Sequence, residues 1–257
     1  FSAIPAKATL VLVGDKDQLP SVGPGRVFGE LVSLPEVRTV SLSVLFRRSM
    51  SSNINPIAHT INSGITPSIP EPDGETKSDA YFLFRPSVEE AAALIENLAA
   101  EQIPKKFGFE ASQISVLTPS NRGPLGTQEL NRRLQARLNP ASCLNDTPHI
   151  KVGEQLFFQG DRVCQRVNNY NIHEAGVFNG DIGQVYSIDT SERSMVVELW
   201  DGRLIKYDSG DLTQLSLAYA VSVHRSQGSE IPCVVLALHE SHYILLERQL
   251  LYTAVTR

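Results

Sequence analysis

Three polar strings, each at the end of an apolar run, carry the residue types that phosphate chemistry needs. Leu10-Val11-Leu12-Val13 runs into Gly14-Asp15-Lys16-Asp17-Gln18-Leu19-Pro20. Val223 leads into His224-Arg225-Ser226-Gln227-Gly228-Ser229-Glu230, and the chain closes on Tyr252-Thr253-Ala254-Val255-Thr256-Arg257. Ligands of open parallel sheets bind beyond the carboxyl ends of the strands. Asp15 and Gln18 held there suit a metal-bound water or a phosphate oxygen, whereas a bare Gly-Asp reads as an Asx-capped turn. Gly228 lets backbone approach a ligand closely, and Glu230 suits a ribose hydroxyl. Singly, His224 reads as a structural histidine and Arg225 as a solvated charge; seven polar or small residues in a row between apolar segments read as a site. The guanidinium fork of Arg257 suits charge developing on a transferred phosphoryl group, although an arginine ending a helix also meets the helix dipole. Arg47 and Arg48, in Leu45-Phe46-Arg47-Arg48-Ser49, are either a second such group or a pair of solvated charges.

Positioning these residues requires strands and helices in alternation. Residues 9–14 read as a buried parallel strand stopped by glycine, and residues 114–118 as another. Residues 37–42 and 81–84 read as further strands. Helical spacing marks residues 26–34, residues 49–63 ending at Gly64, and residues 88–102, where Ser87 and Glu90 form a capping box. Thr127 reads as the cap of a helix that Asn139-Pro140 stops at Leu138. Residues 1–140 thus carry the pattern of a parallel α/β sheet. The texture changes near residue 150: alternation at 161–167, hairpin-turn chemistry at 179–186, and strands at 194–200 and 204–207 flanking the Asp201-Gly202 turn suggest a small barrel. Helix at 217–227, strand at 233–238 and helix at 245–255 restore the α/β style, so the barrel reads as an insertion.

With 257 residues and 42% hydrophobic content, the chain is long enough to bury one large core or two small ones. No apolar run is long enough to span a bilayer and no secretory leader opens the sequence, so no membrane partner is expected. The three cysteines, Cys143, Cys164 and Cys233, are odd in number, far apart and without a Cys-x-x-Cys pair. That argues against a disulfide framework or a zinc site, no metal-ligand set is assigned, and a reducing cytoplasm is expected. Net charge is -5, which does not advertise a broad duplex-binding surface; any grip on nucleic acid is a local groove with stacking and backbone contacts. Phe1 at the start and Arg257 at the end read as cuts in a longer polypeptide.

The strings together resemble the RecD/TraA-type helicases of superfamily 1, the branch that moves 5′→3′ on single-stranded DNA. Residues 14–20 resemble that family's motif III; Phe46-Arg47 resembles motif IV, with Arg48 where the family has Gln. Residues 116–140 match as well, including Val116-Leu117-Thr118-Pro119-Ser120-Asn121-Arg122-Gly123. His224 to Glu230 resembles motif V, with Arg225 where Lys is common, and Tyr252 to Arg257 resembles motif VI. Gly160-Asp161-Arg162-Val163 with Phe178-Asn179-Gly180-Asp181-Ile182-Gly183 resembles the SH3-like barrel inserted in the second motor domain. The likeness covers nearly the whole chain, in order. It implies a RecA-like, P-loop NTPase-type parallel sheet with an inserted SH3-like β-barrel. The first motor domain would end in residues 1–36, residues 37–150 and 214–257 would form the second, and 151–213 the barrel. It implies ATP and Mg2+ as cofactors, with Gly14, Asp15, Gly228 and Glu230 at the nucleotide. Gln18 would sense the γ-phosphate, Arg47 and Arg257 would contact it, and Arg257 would be the arginine finger. Asn121, Arg122, His224, Arg225, Ser226 and Gln227 would face single-stranded DNA. Further subunits of a recombination complex are possible partners.

No Gly-x-x-x-x-Gly-Lys-[Ser/Thr] loop and no Asp-Glu pair after an apolar strand occur. In the family both lie upstream of motif III, so this chain alone is expected to hydrolyse no ATP. Two alternatives stand beside the helicase motor. One is a catalytically inert module that holds single strands or a partner protein through Arg122, Arg132, Arg133, Lys151, Arg162 and Arg166. The other is a different P-loop NTPase, which the strings at 223–230 and 252–257 disfavour.

Overall fold

The computed structural model describes every residue except 1, 2, 6, 21, 22, 43–51, 76 and 145, so Phe46, Arg47 and Arg48 lie outside the described residues. In chain order the elements are α1 (Val27–Ser33), α2 (Ile54–Asn62), α3 (Val88–Asn97), α4 (Ile103–Phe107), β1 (Ile114–Thr118) and α5 (Thr127–Leu138). Then come β2 (His149–Val152), β3 (Gln155–Phe158), β4 (Arg162–Gln165), β5 (Ile182–Asp189), β6 (Ser194–Leu199), β7 (Leu204–Tyr207), β8 (Leu215–Leu217), β9 (Ala220–Ser222), β10 (Cys233–Leu236) and α6 (Arg248–Val255). They divide into two compact units: residues 1–82 with 247–256, and residues 83–246 with Arg257.

The first unit is helical. α2 packs on α6, and Leu19, Ile57, Ala58, Ile61, Leu250 and Ala254 are buried. The expected strand at 9–14 does not form: Leu10, Val11, Leu12 and Val13 are exposed, Val13 at 92%. Nor do strands form at 37–42 or 81–84. The reason is common to 9–14 and 37–42, which lie wholly in this unit. A strand needs a hydrogen-bonding neighbour, and among the described residues this unit contains no other strand.

The second unit holds the main core and both principal sheets. β1 is a fully buried strand flanked on both sides by parallel partners, β10 through Ile114↔Cys233 and β9 through Thr118↔Ser222. β9 occupies residues expected to be helical (217–227). A short apolar run carries no reliable period, and Ala220, Val221 and Ser222 are buried against β1 instead. Among the described residues the parallel sheet is therefore built from 114–118, 220–222 and 233–236, not from the first 113. Between β1 and β9 in sequence lies the five-stranded antiparallel sheet β7-β6-β5-β4-β8, with the β2-β3 hairpin preceding it. The inserted character of the small β domain follows from this order.

α3 begins as expected, Ser87 Oγ accepting from the Glu90 N–H at 3.2 Å. The helical run then continues past Gln102 through a π turn (Leu98–Gln102) into α4, which contains Pro104. Proline lacks the N–H for an α-helical bond to residue i−4, and the wider turn ahead of it carries the chain past that gap. Gly126, not Thr127, caps α5. A Cβ on Gly126 would lie 2.4 Å from the Arg122 carbonyl oxygen, so the loop that launches α5 closes tightly on itself only with glycine there.

Candidate nucleotide and DNA site

In the first unit, Asp15 organises its string. One carboxylate oxygen accepts from Asp17 N–H at 3.0 Å; the other accepts from Gln18 Nε2 at 3.2 Å and from the Tyr252 hydroxyl at 3.1 Å. Gly14 lies where a Cβ would meet the Phe28 ring at 3.1 Å. Leu19 N–H donates to the buried Thr253 Oγ1 at 2.8 Å. The segment at 14–20 is thus tied to α6, the helix that ends at the terminal Thr256-Arg257.

In the second unit, the chain leaves the carboxyl ends of β1 and β9 as two loops from adjacent strands. Residues 119–126 carry Asn121 and Arg122, both exposed. Asn121 Oδ1 accepts from Thr127 Oγ1 at 3.1 Å, and the buried Thr118 hydroxyl donates to the Leu125 carbonyl at 2.6 Å. Residues 223–228 form a tight turn. Ser226 is buried, and its hydroxyl donates to the Val223 carbonyl at 2.9 Å, so it builds the turn rather than its face. His224, Arg225 and Gln227 are half-buried, and Arg225 Nη1 donates to Ser216 Oγ at 3.4 Å. Gly228 takes φ +82°, a backbone conformation that favours glycine.

Beyond the turn, the chain runs beside its own end. Ile231 N–H donates to the Arg257 carbonyl at 3.1 Å, and Arg257 Nη1 donates to the Ser229 carbonyl at 3.4 Å. Glu230, between those two contacts, is exposed and lines a cleft of about 320 Å³ with Ser115, Arg162, Trp200, Asp201 and Pro232. The structure therefore brings Glu230 to Arg257, while the loop of Asn121-Arg122 and the loop of His224 and Gln227 leave adjacent strands. Gly14, Asp15 and Gln18 belong to the other unit.

Sequence reasoning passed over the floor of that cleft. Arg162 is 7% exposed, which removes it from any surface patch gripping DNA. Burial lowers its guanidinium to about 10, and its plane stands 4.5 Å from the Trp200 ring centroid. The signal was the lone tryptophan of the chain in a hairpin beside Asp201-Gly202. Arg132 and Arg133 are likewise engaged, with Glu129 and with Glu129 and Glu96.

Three family models match the chain. Residues 130–199 match the SH3 domain of ATP-dependent RecD-like DNA helicases, residues 217–257 a UvrD-like helicase C-terminal domain, and residues 1–71 an AAA domain. The ATP-dependent RecD2 DNA helicase of Deinococcus radiodurans is 32% identical over 100% of this chain and 32% of its own length. The chain belongs to the RecD-like helicase family. The RecBCD enzyme subunit RecD of Mycobacterium tuberculosis is 30% identical over 99% of this chain and 44% of its own. The chain thus spans a third to under a half of these relatives. A structure of Pif1 helicases at forked duplex DNA has a TM-score of 0.50 at 16% identity, covering 83% of this chain and 46% of that one. It supports the fold: a RecA-like helicase motor sheet with an inserted SH3-like domain. No helix among the described residues is long and apolar enough to cross a membrane.

Proposed function

We propose that this chain is the C-terminal motor portion of an ATP-dependent 5′→3′ DNA helicase that couples ATP hydrolysis to translocation on single-stranded DNA. The observation that carries the reading is the pair of loops leaving the adjacent carboxyl ends of β1 and β9, one bearing Asn121 and Arg122, the other His224, Arg225 and Gln227. Ligand sites of parallel sheets lie at that edge. Side chains with amide, imidazole and guanidinium donors there suit phosphates and bases of a single strand. Ser226 holds their turn.

Bound with Mg2+, ATP supplies the phosphoanhydride bond whose cleavage drives the motor. Gly14 and Asp15 shape the nucleotide-facing string, and Gln18, its amide oriented by Asp15, senses the γ-phosphate. Glu230 offers an exposed carboxylate to ribose hydroxyls, and Gly228 gives close backbone approach. Arg257 stabilises negative charge on the transferred phosphoryl group, with Arg47 as the second cation. Most metal ligands belong to the upstream part of the first motor domain. Residues 1–36 are read as the edge of that domain, residues 37–150 and 214–257 as the second motor domain, and 151–213 as the barrel. Single-stranded DNA is the expected partner, with other recombination subunits as further candidates and the cytoplasm as the compartment.

In the full-length protein, Arg257→Ala should lower single-strand-stimulated ATPase by ~10²-fold or more while leaving DNA binding in place. The 257-residue chain alone should hydrolyse no ATP above background. Arg257-dependent hydrolysis by the chain alone would overturn the division of labour. A full-length protein that binds single strands without any ATPase would favour the inert binding module.

A further inference from the structure

Two consecutive residues at the entrance to β4 tie the two sheets together. Neighbouring strand side chains point to opposite faces, and Asp161 and Arg162 use both. The Asp161 carboxylate is fully buried and accepts four bonds: from Phe158 N–H (2.8 Å), Gln135 Nε2 (2.5 Å), Asn139 Nδ2 (2.8 Å) and the Tyr219 hydroxyl (3.0 Å). Tyr219 stands immediately before β9, the strand that launches the His224 loop.

Arg162 reaches the root of the neighbouring strand. Its Nη1 donates to the Ile114 carbonyl at 2.8 Å and its Nη2 to Ser115 Oγ at 2.7 Å. Ile114 and Ser115 open β1, the strand that launches the Asn121 loop. No carboxylate pairs with the guanidinium among the described residues, and its buried Nε has no partner. A buried cation without a counter-ion is costly; two charge-assisted bonds and the Trp200 ring offset that cost here.

We propose that Asp161 and Arg162 are positioning residues that make the inserted antiparallel sheet and the parallel motor sheet one mechanical body, so that load on the insertion reaches the loops after β1 and β9. The proposal rests on the helicase reading for its consequence, not for its geometry. Without these side chains β9 would keep its backbone link to β4, Ala218 N–H donating to the Arg162 carbonyl at 2.9 Å, but the root of β1 would lose its tie to β4. Hydrolysis and unwinding would then lose their fixed ratio.

The test compares full-length wild-type protein with Arg162→Met and Arg162→Lys, reading base pairs unwound per ATP hydrolysed. Arg162→Met should lower that ratio about fivefold or more with KM for ATP changed less than about twofold, and Arg162→Lys, which keeps a cation, should restore part of it. Hydrogen exchange on the same proteins gives a readout independent of activity. Peptides covering β1 and β5 should open in one cooperative event in wild type and separately in Arg162→Met. An unchanged ratio would overturn the proposal, as would ATPase and unwinding falling in step, or β1 and β5 opening separately in the wild type. A wild type without ATPase would instead sink the helicase reading, and the exchange result would still decide the joint.

Discussion

At the scale of single residues, this protein places its charges in unequal environments. Glu129 on α5 accepts from Arg132 Nε and Nη2 and from Arg133 Nε, and those bonds, Arg132 foremost, hold its carboxyl down at about 2 from the ordinary 4.5. A depressed carboxylate contributes stability above its unfolded value and loses it as pH falls through the folded one. The window is therefore between 4.5 and about 2. Arg132 is 69% exposed, so solvent screening keeps the contribution to about 1 kcal/mol or less. Glu129→Gln should lower stability by that amount at neutral pH, with the deficit closing across the same acid window in urea titrations. A deficit that grows on acidification would show that Glu129 is not held this way. Asp161 is the opposite case. Burial pushes its carboxyl up against four hydrogen bonds that pull it down.

At the scale of elements, one of the two ties between the 14–20 string and α6 can be cut at a single atom, the Tyr252 bond to Asp15 remaining. Thr253 is fully buried, and its Oγ1 takes the Leu19 N–H at 2.8 Å. Thr253→Val keeps the shape and removes this acceptor, at a cost of about 1–3 kcal/mol. Denaturant midpoints should fall accordingly, and the Leu19 amide should lose its exchange protection. A variant with wild-type protection at Leu19 would show that another acceptor holds the segment. Element reading from sequence succeeded where the signal was local. Helices α2, α5 and α6 carried periodic apolar faces, and β1 carried a short β-rich run, with Ile114, Val116 and Leu117 between polar loops. It failed at 9–14, 37–42, 81–84 and 217–227. There the apolar residues were legible, but strand or helix depended on whether a neighbouring strand was present to pair with them.

At the scale of the whole molecule, net charge -5 sets the terms of nucleic-acid binding. Arg132, Arg133 and Arg162 are engaged internally, which withdraws those three from any strand-binding groove. Binding of a single strand by this chain should be weak, and raising salt from ~50 to ~200 mM should weaken it by about tenfold or more. Titration of a labelled oligonucleotide across that range measures both. Nanomolar affinity insensitive to salt would mean that stacking and shape, not phosphate contacts, hold the strand.

The sequence alone determined the family, the inserted β domain and the identity of the polar strings, because each of those is written in contiguous residues whose chemistry is local. Tertiary structure alone decided which strands form the motor sheet, that Ser226 faces inward, that Glu230 lies beside Arg257, and that Arg162 is a buried joint rather than a surface cation. Apart from Ser226, whose bond to Val223 is local, those facts depend on contacts between residues tens of positions apart, such as Arg162 with Ile114 and Asp161 with Tyr219. A side chain's partners across such distances are set by packing, which no local pattern encodes.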